Sequence, residues 1–136
     1  MRVKKLRSVF NFWIWGRDLN FLQQIRINEL EQCLRFIPKA SRILDFGAGS
    51  GHQALYLAKQ GFQVKALDVA TSNYREEQIY PVQLYDGTNF PYEPGSFDIV
   101  FSSNVLEHIK CTEATLASLH AITTDEARLI LLMPSQ

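Results

Sequence analysis

A glycine-rich run in the first half of the chain is the clearest candidate for binding chemistry. Gly47, Gly49 and Gly51 alternate with small residues, and Asp45 stands two residues before the first of them. Such a turn lets backbone N–H groups approach a ligand at the start of the following helix. The carboxylate of Asp45 would repel a pyrophosphate but suits an ammonium or sulfonium group. Because the dinucleotide-binding fingerprint needs its third glycine where His52 stands, the run disfavours a nicotinamide oxidoreductase.

Two further aspartates stand where later strands are predicted to end. Asp68 follows Gly47 by 21 residues, a spacing at which a carboxylate can accept hydrogen bonds from both hydroxyls of a ribose. Nicotinamide and adenosyl cofactors share this spacing, so it indicates a ribose and no more. Asp86 could accept from an exocyclic amine such as that of adenine, while the N–H of Gly87 donates to a ring nitrogen. The alternative for Asp86 is structural, because Asp before Gly commonly forms a turn.

A regular alternation of strands and helices must position these residues. Apolar runs predict five strands, over residues 42–46, 62–69, 82–85, 97–102 and 128–133. Helical spacing is found over residues 20–37, 52–60, 105–109 and 113–121, and a short polar helix is predicted over 72–78. This order predicts an α/β fold with a doubly wound, mostly parallel sheet and helices on both faces. The ligand is expected at the carboxyl ends of the strands, which adds Ser103 and Asn104 to the glycine run.

Composition and charge are consistent with one soluble globular domain. The chain has 136 residues, 46% of them hydrophobic, and its 14 Lys and Arg balance 14 Asp and Glu. The charges are unevenly distributed, because residues 1–42 carry nine bases against three acids and the remainder is correspondingly acidic. Cys33 and Cys111 are expected to be free thiols. The apolar run Val9–Trp15 is too short for a signal peptide, so we expect a cytoplasmic protein.

Three segments together resemble the class I S-adenosylmethionine-dependent methyltransferases, in particular the broad group that acts on small molecules. They are LDFGAGSGH at Leu44–His52, YDGTNFPY at Tyr85–Tyr92 and SFDIVFSSNVLEHI at Ser96–Ile109, with Asp68 between the first two. The resemblance runs from about Arg42 to Met133. It implies a Rossmann-like fold, S-adenosylmethionine as cofactor, and in-line methyl transfer to a small-molecule acceptor.

The resemblance also implies a set of cofactor-binding residues. Asp45 and the glycine run would flank the methionine moiety, Asp68 would hold the ribose, and Asp86 with Gly87 would frame the adenine. Ser103 and Asn104 would line the methionine end. The full set is Asp45, Gly47, Ala48, Gly49, Gly51, Asp68, Val69, Asp86, Gly87, Ser103 and Asn104.

No catalytic residue is assigned by the sequence, and His108 is the one candidate for a general base. It stands beside Glu107 after the fourth predicted strand, where it could instead pack or cap a helix. Some quinone-pathway O-methyltransferases carry a Glu-x-x-Glu-His pattern here that is associated with metal. Asn104 replaces the first glutamate, so we expect no metal. His52 could lie near the donor carboxylate, whereas His120 is expected on a surface helix.

The resemblance ends with the fifth strand, although family members usually continue to a seven-stranded sheet. We therefore expect a fragment or truncated form whose last strands are missing, with Arg128–Met133 as an apolar edge strand. Cofactor binding is then a firmer expectation than catalysis. A non-catalytic module that binds cofactor or a protein partner is the alternative to an active enzyme.

The chain divides in this interpretation into residues 1–40 and a methyltransferase core over 41–136. The first part is basic and rich in aromatic residues, and it is predicted to form a lid or cap over the cofactor site. The same composition also suits peripheral contact with an anionic membrane surface, or with single-stranded nucleic acid. The sequence leaves these alternatives open, together with the oligomeric state.

Overall fold

The computed structural model describes residues 2–7, 19–72 and 78–134, with side chains from Phe21 onward. Within these ranges the helices are α1 over Leu19–Cys33, α2 over His52–Lys59 and α3 over Thr112–Ala121. Short 3-10 turns occur at Leu34–Phe36 and Leu106–His108. The strands are β1 at Arg2–Arg7, β2 at Arg42–Phe46, β3 at Gln63–Val69, β4 at Val82–Tyr85, β5 at Phe97–Ser103 and β6 at Thr123–Met133.

All described strands belong to one sheet in the order β1-β6-β5-β2-β3-β4, and every neighbouring pair is parallel. From β2 the chain builds outward through β3 and β4, and then it returns to place β5 and β6 on the other side of β2. The strand order therefore reverses between β2 and β5. Ligands of such sheets bind in the crevice at this point. The predicted doubly wound α/β fold is confirmed.

The sheet contains a strand that the sequence analysis did not identify. β1 pairs with β6 in parallel, from Arg2 opposite Arg128 to Arg7 opposite Met133. Four of its six residues are basic, so its own pattern gives little strand signal, and the pairing depends on a partner more than 120 residues away. The prediction of β6 as an edge strand was wrong. Basic residues in the edge strand that covers it disfavour edge-to-edge aggregation.

β6 is also longer than its predicted apolar run. Pairing with β5 shifts register, because Phe97 lies opposite Thr123 whereas Ile99 lies opposite Arg128. The extra residues on β6 include the exposed, polar Asp125 and Glu126, which the apolar pattern could not include. The run Arg128–Met133 identifies the part of this strand that is mainly buried.

Helices cover both faces of the sheet, and successive side chains of β2 point to opposite faces. Leu44 packs with Leu119 of α3 on one face, whereas Ile43 packs with Leu30 of α1 and Leu57 of α2 on the other. Full burial of one such side chain contributes roughly 1.5–3 kcal/mol. α1 therefore packs on the sheet and contributes to the same hydrophobic core. Residues 8–18 and 73–77, which include the aromatic run and most of the predicted helix at 72–78, lie outside the described residues.

Contacts within the described residues give Asp98 a structural role and agree with the expectation of free cysteines. The carboxylate of Asp98 accepts hydrogen bonds from the guanidinium of Arg42 at 2.9 and 3.0 Å and from its backbone N–H at 2.8 Å, joining the amino ends of β2 and β5. Both cysteines are free. Burial raises the pKa of the Cys33 thiol to about 11, so it stays an unreactive core residue at neutral pH.

Candidate functional site

A cavity of about 600 Å³ opens at the carboxyl ends of the strands, where β2 and β5 lie side by side. Its size is ordinary for a small-molecule site. The cavity is lined by seven of the residues that the sequence predicted for the cofactor: Gly47, Ala48, Gly49, Asp68, Val69, Ser103 and Asn104. The other four, Asp45, Gly51, Asp86 and Gly87, are not among its lining residues.

The glycine run forms the floor of the cavity and is fixed by close packing. Gly47 has a φ of 76°, and a Cβ there would lie 2.3 Å from Cγ2 of Val105. Gly51 has a φ of 90°, and a Cβ there would lie 2.7 Å from Cβ of Tyr80. The N–H of Gly47 donates to the carbonyl of Leu67 at 2.8 Å, which ties the turn to β3. Glycine is therefore favoured at both positions for two reasons. A Cβ would clash with a neighbouring side chain, and other residues rarely adopt the positive φ.

Asp68 is held in a single orientation at the end of β3. Its Oδ2 accepts from the N–H of Gly49 at 2.8 Å, and its Oδ1 accepts from the N–H of Val69 at 2.8 Å. An ionised carboxylate can accept about four hydrogen bonds, so each oxygen keeps capacity for a ligand. This geometry meets the requirement for binding a diol from the cavity side.

Asp45 lies behind the cavity wall, at the end of β2. It is 1% exposed, and it accepts a hydrogen bond from the N–H of Ala54 in the first turn of α2. Burial, and then repulsion from Asp68, raise the pKa of Asp45 to about 7, while the Ala54 bond opposes this shift. Its Oδ2 has no hydrogen-bond partner among the described residues. Asp45 is therefore not part of the cavity surface, and its contact with α2 is a structural one.

Asp86 forms a turn, which is the structural alternative that the sequence left open. Its Oδ1 accepts from the N–H groups of Thr88 and Asn89, and its Oδ2 accepts from the side-chain amide of Asn89. These hydrogen bonds hold the pKa of Asp86 below its usual value, and the bond from the N–H of Asn89 has the largest effect. Tyr85 lines the cavity instead, with its ring stacked on Phe90 at 5.2 Å. As the last residue of the predicted strand, Tyr85 could have been included by the strand-end rule.

Ser103 and Asn104 form the cavity wall at the end of β5. Asn104 has a left-handed backbone, with a φ of 55°, which asparagine tolerates better than most residues. Its N–H donates to the carbonyl of Leu132 at 2.8 Å, and its side-chain amide donates to Oγ of Ser103 at 3.2 Å. This conformation turns the chain from β5 into the segment that continues along the cavity.

α1 supplies a wall of the cavity through side chains that the sequence did not single out. Leu22, Gln23 and Arg26 line the cavity, and the side-chain nitrogen of Gln23 lies 2.7 Å from Nε2 of His52. His52 also lines the cavity, as considered from its place after the glycine run. The apolar spacing of α1 predicted a helix, but no local signal indicated which of its side chains would line the cavity. The exposed His120 lies on α3, outside the cavity.

His108 lines the same cavity and is open to solvent. Its side chain is 78% exposed, and its Nε2 lies 3.9 Å from Oε1 of Glu107.

Within the described ranges, no three His, Cys, Asp or Glu side chains are grouped to hold a metal ion. None of the described helices is long and apolar enough to span a bilayer.

Comparison with known proteins agrees with this site. A methyltransferase-domain family model matches residues 19–136. The ubiquinone biosynthesis O-methyltransferase of Azotobacter vinelandii is 24% identical, over 88% of this chain and 56% of its own length. The phosphoethanolamine N-methyltransferase 2 of Haemonchus contortus, solved with S-adenosyl-L-methionine, is 28% identical with a TM-score of 0.63, over 76% of this chain and 27% of that one.

A further solved structure shares the fold. The S-adenosylmethionine-dependent methyltransferase of Aquifex aeolicus has a TM-score of 0.63 at 23% identity, over 74% of this chain and 61% of its own. The chain spans about half the length of the curated relatives it matches. The family model nevertheless covers most of the residues described above, including α1 and the whole cavity. The chain therefore belongs to the methyltransferase-domain family, which confirms its resemblance to the class I S-adenosylmethionine-dependent methyltransferases.

Proposed function

We propose that this chain binds S-adenosylmethionine and transfers its methyl group to a small-molecule acceptor. The observation that carries the proposal is the carboxylate of Asp68, which lines the cavity with both oxygens held by backbone N–H groups. A carboxylate so fixed at the end of the strand next to the glycine turn suits the hydroxyls of a ribose. Relatives named for methyl transfer to oxygen and to nitrogen support the same reaction class.

The lining residues on either side of Asp68 suit the two ends of this donor. Toward β4, the ring of Tyr85 offers an aromatic surface for adenine. Toward β5, Ser103 and Asn104 offer polar atoms for the methionine end, and Arg26 of α1 is a cation that can pair with its carboxylate. The bound donor supplies an activated methyl group, and these residues align it. α1 lines the cavity with Leu22, Gln23 and Arg26, which supports the prediction that residues 1–40 form a cap over the cofactor site.

Calorimetric titration with S-adenosylhomocysteine, the demethylated donor, tests the proposal. Asp68→Asn keeps the shape of the side chain but removes its charge and one acceptor. A hydrogen bond to a charged group contributes about 1.5–3 kcal/mol, so Kd should rise by roughly 10- to 150-fold. Asp125→Asn, which removes an exposed carboxylate of β6, is the matched control. Equal affinity of Asp68→Asn and the wild type would refute the ribose assignment.

Transfer of a labelled methyl group distinguishes an enzyme from a binding module. The chain is incubated with S-adenosylmethionine labelled in the methyl group and with small-molecule extracts. A labelled product that depends on Asp68 supports the enzyme. Donor binding without any labelled product would favour the non-catalytic alternative.

A further inference from the structure

We infer that the outer edge of β1 binds an extended acidic peptide, which adds to the sheet as a further strand. β1 is the last described strand on its side of the sheet, and its described neighbour is β6. Backbone N–H and C=O groups that point away from this neighbour can pair with an added strand. The inference goes beyond the proposed function and does not depend on it, because no residue of β6 is among the described residues that line the cavity.

The charge of β1 indicates the chemistry of the added strand. Four of its six residues are basic: Arg2, Lys4, Lys5 and Arg7. The register places none of these bases opposite an acid of β6, because their opposite residues are, in order, Arg128, Ile130, Leu131 and Met133. The row of positive charge is therefore not neutralised by the adjacent strand. Carboxylates placed directly opposite on an added strand would form favourable cross-strand pairs with it.

The bases are divided between the two faces of the sheet. Lys4 is in register with Ile130, which belongs to the core beneath α1 and α2. Lys5 is in register with Leu131, which belongs to the core beneath α3. Because positions alternate along a strand, each face carries two of the four bases. A flat anionic surface such as a bilayer meets one face of a sheet at a time, whereas a strand in the plane of the sheet meets both. The arrangement therefore favours a peptide over a membrane.

The order of residues in β1 also defines the pattern of its partner. The order is basic, apolar, basic, basic, apolar, basic, and it reads the same in both directions. Opposite residues of neighbouring strands share a face, so the matching strand is acidic, apolar, acidic, acidic, apolar, acidic in either orientation. A second copy of this chain does not match at its described edges, because its β1 repeats the same bases and its β4 carries no acid over Val82–Tyr85.

Two peptides of the same composition test this pattern. Glu-Val-Glu-Glu-Val-Glu, blocked at both ends, has the matching order, and Val-Glu-Glu-Glu-Glu-Val has the same charges in a mismatched order. Each is titrated into isotope-labelled protein, and the amide resonances of β1 are followed. We expect the matching peptide to bind at least about tenfold more tightly than the mismatched one, and added salt to weaken its binding. It should also slow hydrogen exchange at alternate amides of β1, which attraction by charge alone does not do.

Lysine variants locate the binding at β1. Lys4→Gln and Lys5→Gln each remove one base, on opposite faces of the sheet. Each should weaken binding of the matching peptide by roughly two- to fivefold. Lys59→Gln, at an exposed lysine of α2, is the matched control and should bind as the wild type does. An unchanged midpoint of urea denaturation shows that each variant keeps its fold.

Three outcomes would overturn the inference. Equal binding of the two peptides would show attraction by charge without strand addition. Binding of neither peptide would exclude a peptide partner, and binding instead to vesicles of equal parts phosphatidylcholine and phosphatidylserine would make a membrane the partner of this edge. Unchanged affinity of Lys4→Gln and Lys5→Gln for the matching peptide would place its binding elsewhere on the protein.

Discussion

Replacing Asp45 by Asn should change the pH dependence of stability in a direction fixed by the burial of this carboxylate. The pKa of Asp45 is raised to about 7 by burial and by repulsion from Asp68. In the unfolded chain an aspartate ionises near pH 4. Between these two values the unfolded state loses a proton that the folded state keeps, so the contribution of Asp45 to stability is lost as pH rises.

The magnitude follows from the two pKa values. One pKa unit corresponds to about 1.4 kcal/mol, so the wild type should lose roughly 2–3 kcal/mol from this group between about pH 5 and pH 8. Asn cannot ionise, and its side-chain oxygen can still accept the hydrogen bond from the N–H of Ala54. The variant should therefore gain stability relative to the wild type by that amount over the same interval.

Urea denaturation of both proteins at several pH values, without ligand, measures this difference. Asp125→Asn, at an exposed position on β6, is the control for removing an acid in general. If the stability curves of Asp45→Asn and the wild type run parallel, the proposed protonation of buried Asp45 is wrong. A loss of stability of Asp45→Asn relative to the wild type on going from about pH 5 to pH 8 would also contradict the raised pKa of Asp45.

Three further predictions test the turn, the strained backbone and the added strand. Gly47→Ala places a Cβ 2.3 Å from Val105 at a positive φ. Urea denaturation should therefore show that the free energy of unfolding falls by roughly 1–3 kcal/mol, and donor binding should be lost. Retained stability would contradict the close packing at this turn. Asn104→Ala should cost about 1–2 kcal/mol because of its φ of 55°, whereas Asn104→Gly should cost little; equal losses would exclude backbone strain as the cause. Deleting residues 1–7 uncovers β6, and light scattering should detect association, unless β1 contributes nothing to protecting that edge.

The alternation of strands and helices could be predicted because it is a local property of the sequence. β2 and β4 begin and end at the predicted residues, and α2 begins at the predicted His52. Short apolar runs bounded by glycine or aspartate limit where a parallel strand can lie. Once the strands are known, their carboxyl ends indicate Gly47, Asp68 and Ser103 as neighbours, and these residues do line one cavity.

The strand at the edge and the depth of individual carboxylates could not be predicted in this way. β1 has a basic sequence, and it joins the sheet through its pairing with the apolar strand β6. Asp45 and Asp86 both stand close to the end of a predicted strand, yet one is fully buried under α2 and the other is exposed and bonded to its own turn. Gly87 after Asp86 favours a turn there, but nothing in the immediate neighbours of Asp45 indicates its burial.

The sequence by itself determined the fold class, the family and the positions of the glycine turn and Asp68, because periodicity and strand ends are local features. Only the tertiary structure decided that Leu22 and Arg26 are the residues of α1 that face the cavity, and that β1 pairs with β6 at the edge of the sheet. Both results depend on surfaces made by residues distant in sequence. The physical reason is that burial and long-range pairing belong to the assembled core and to no single segment.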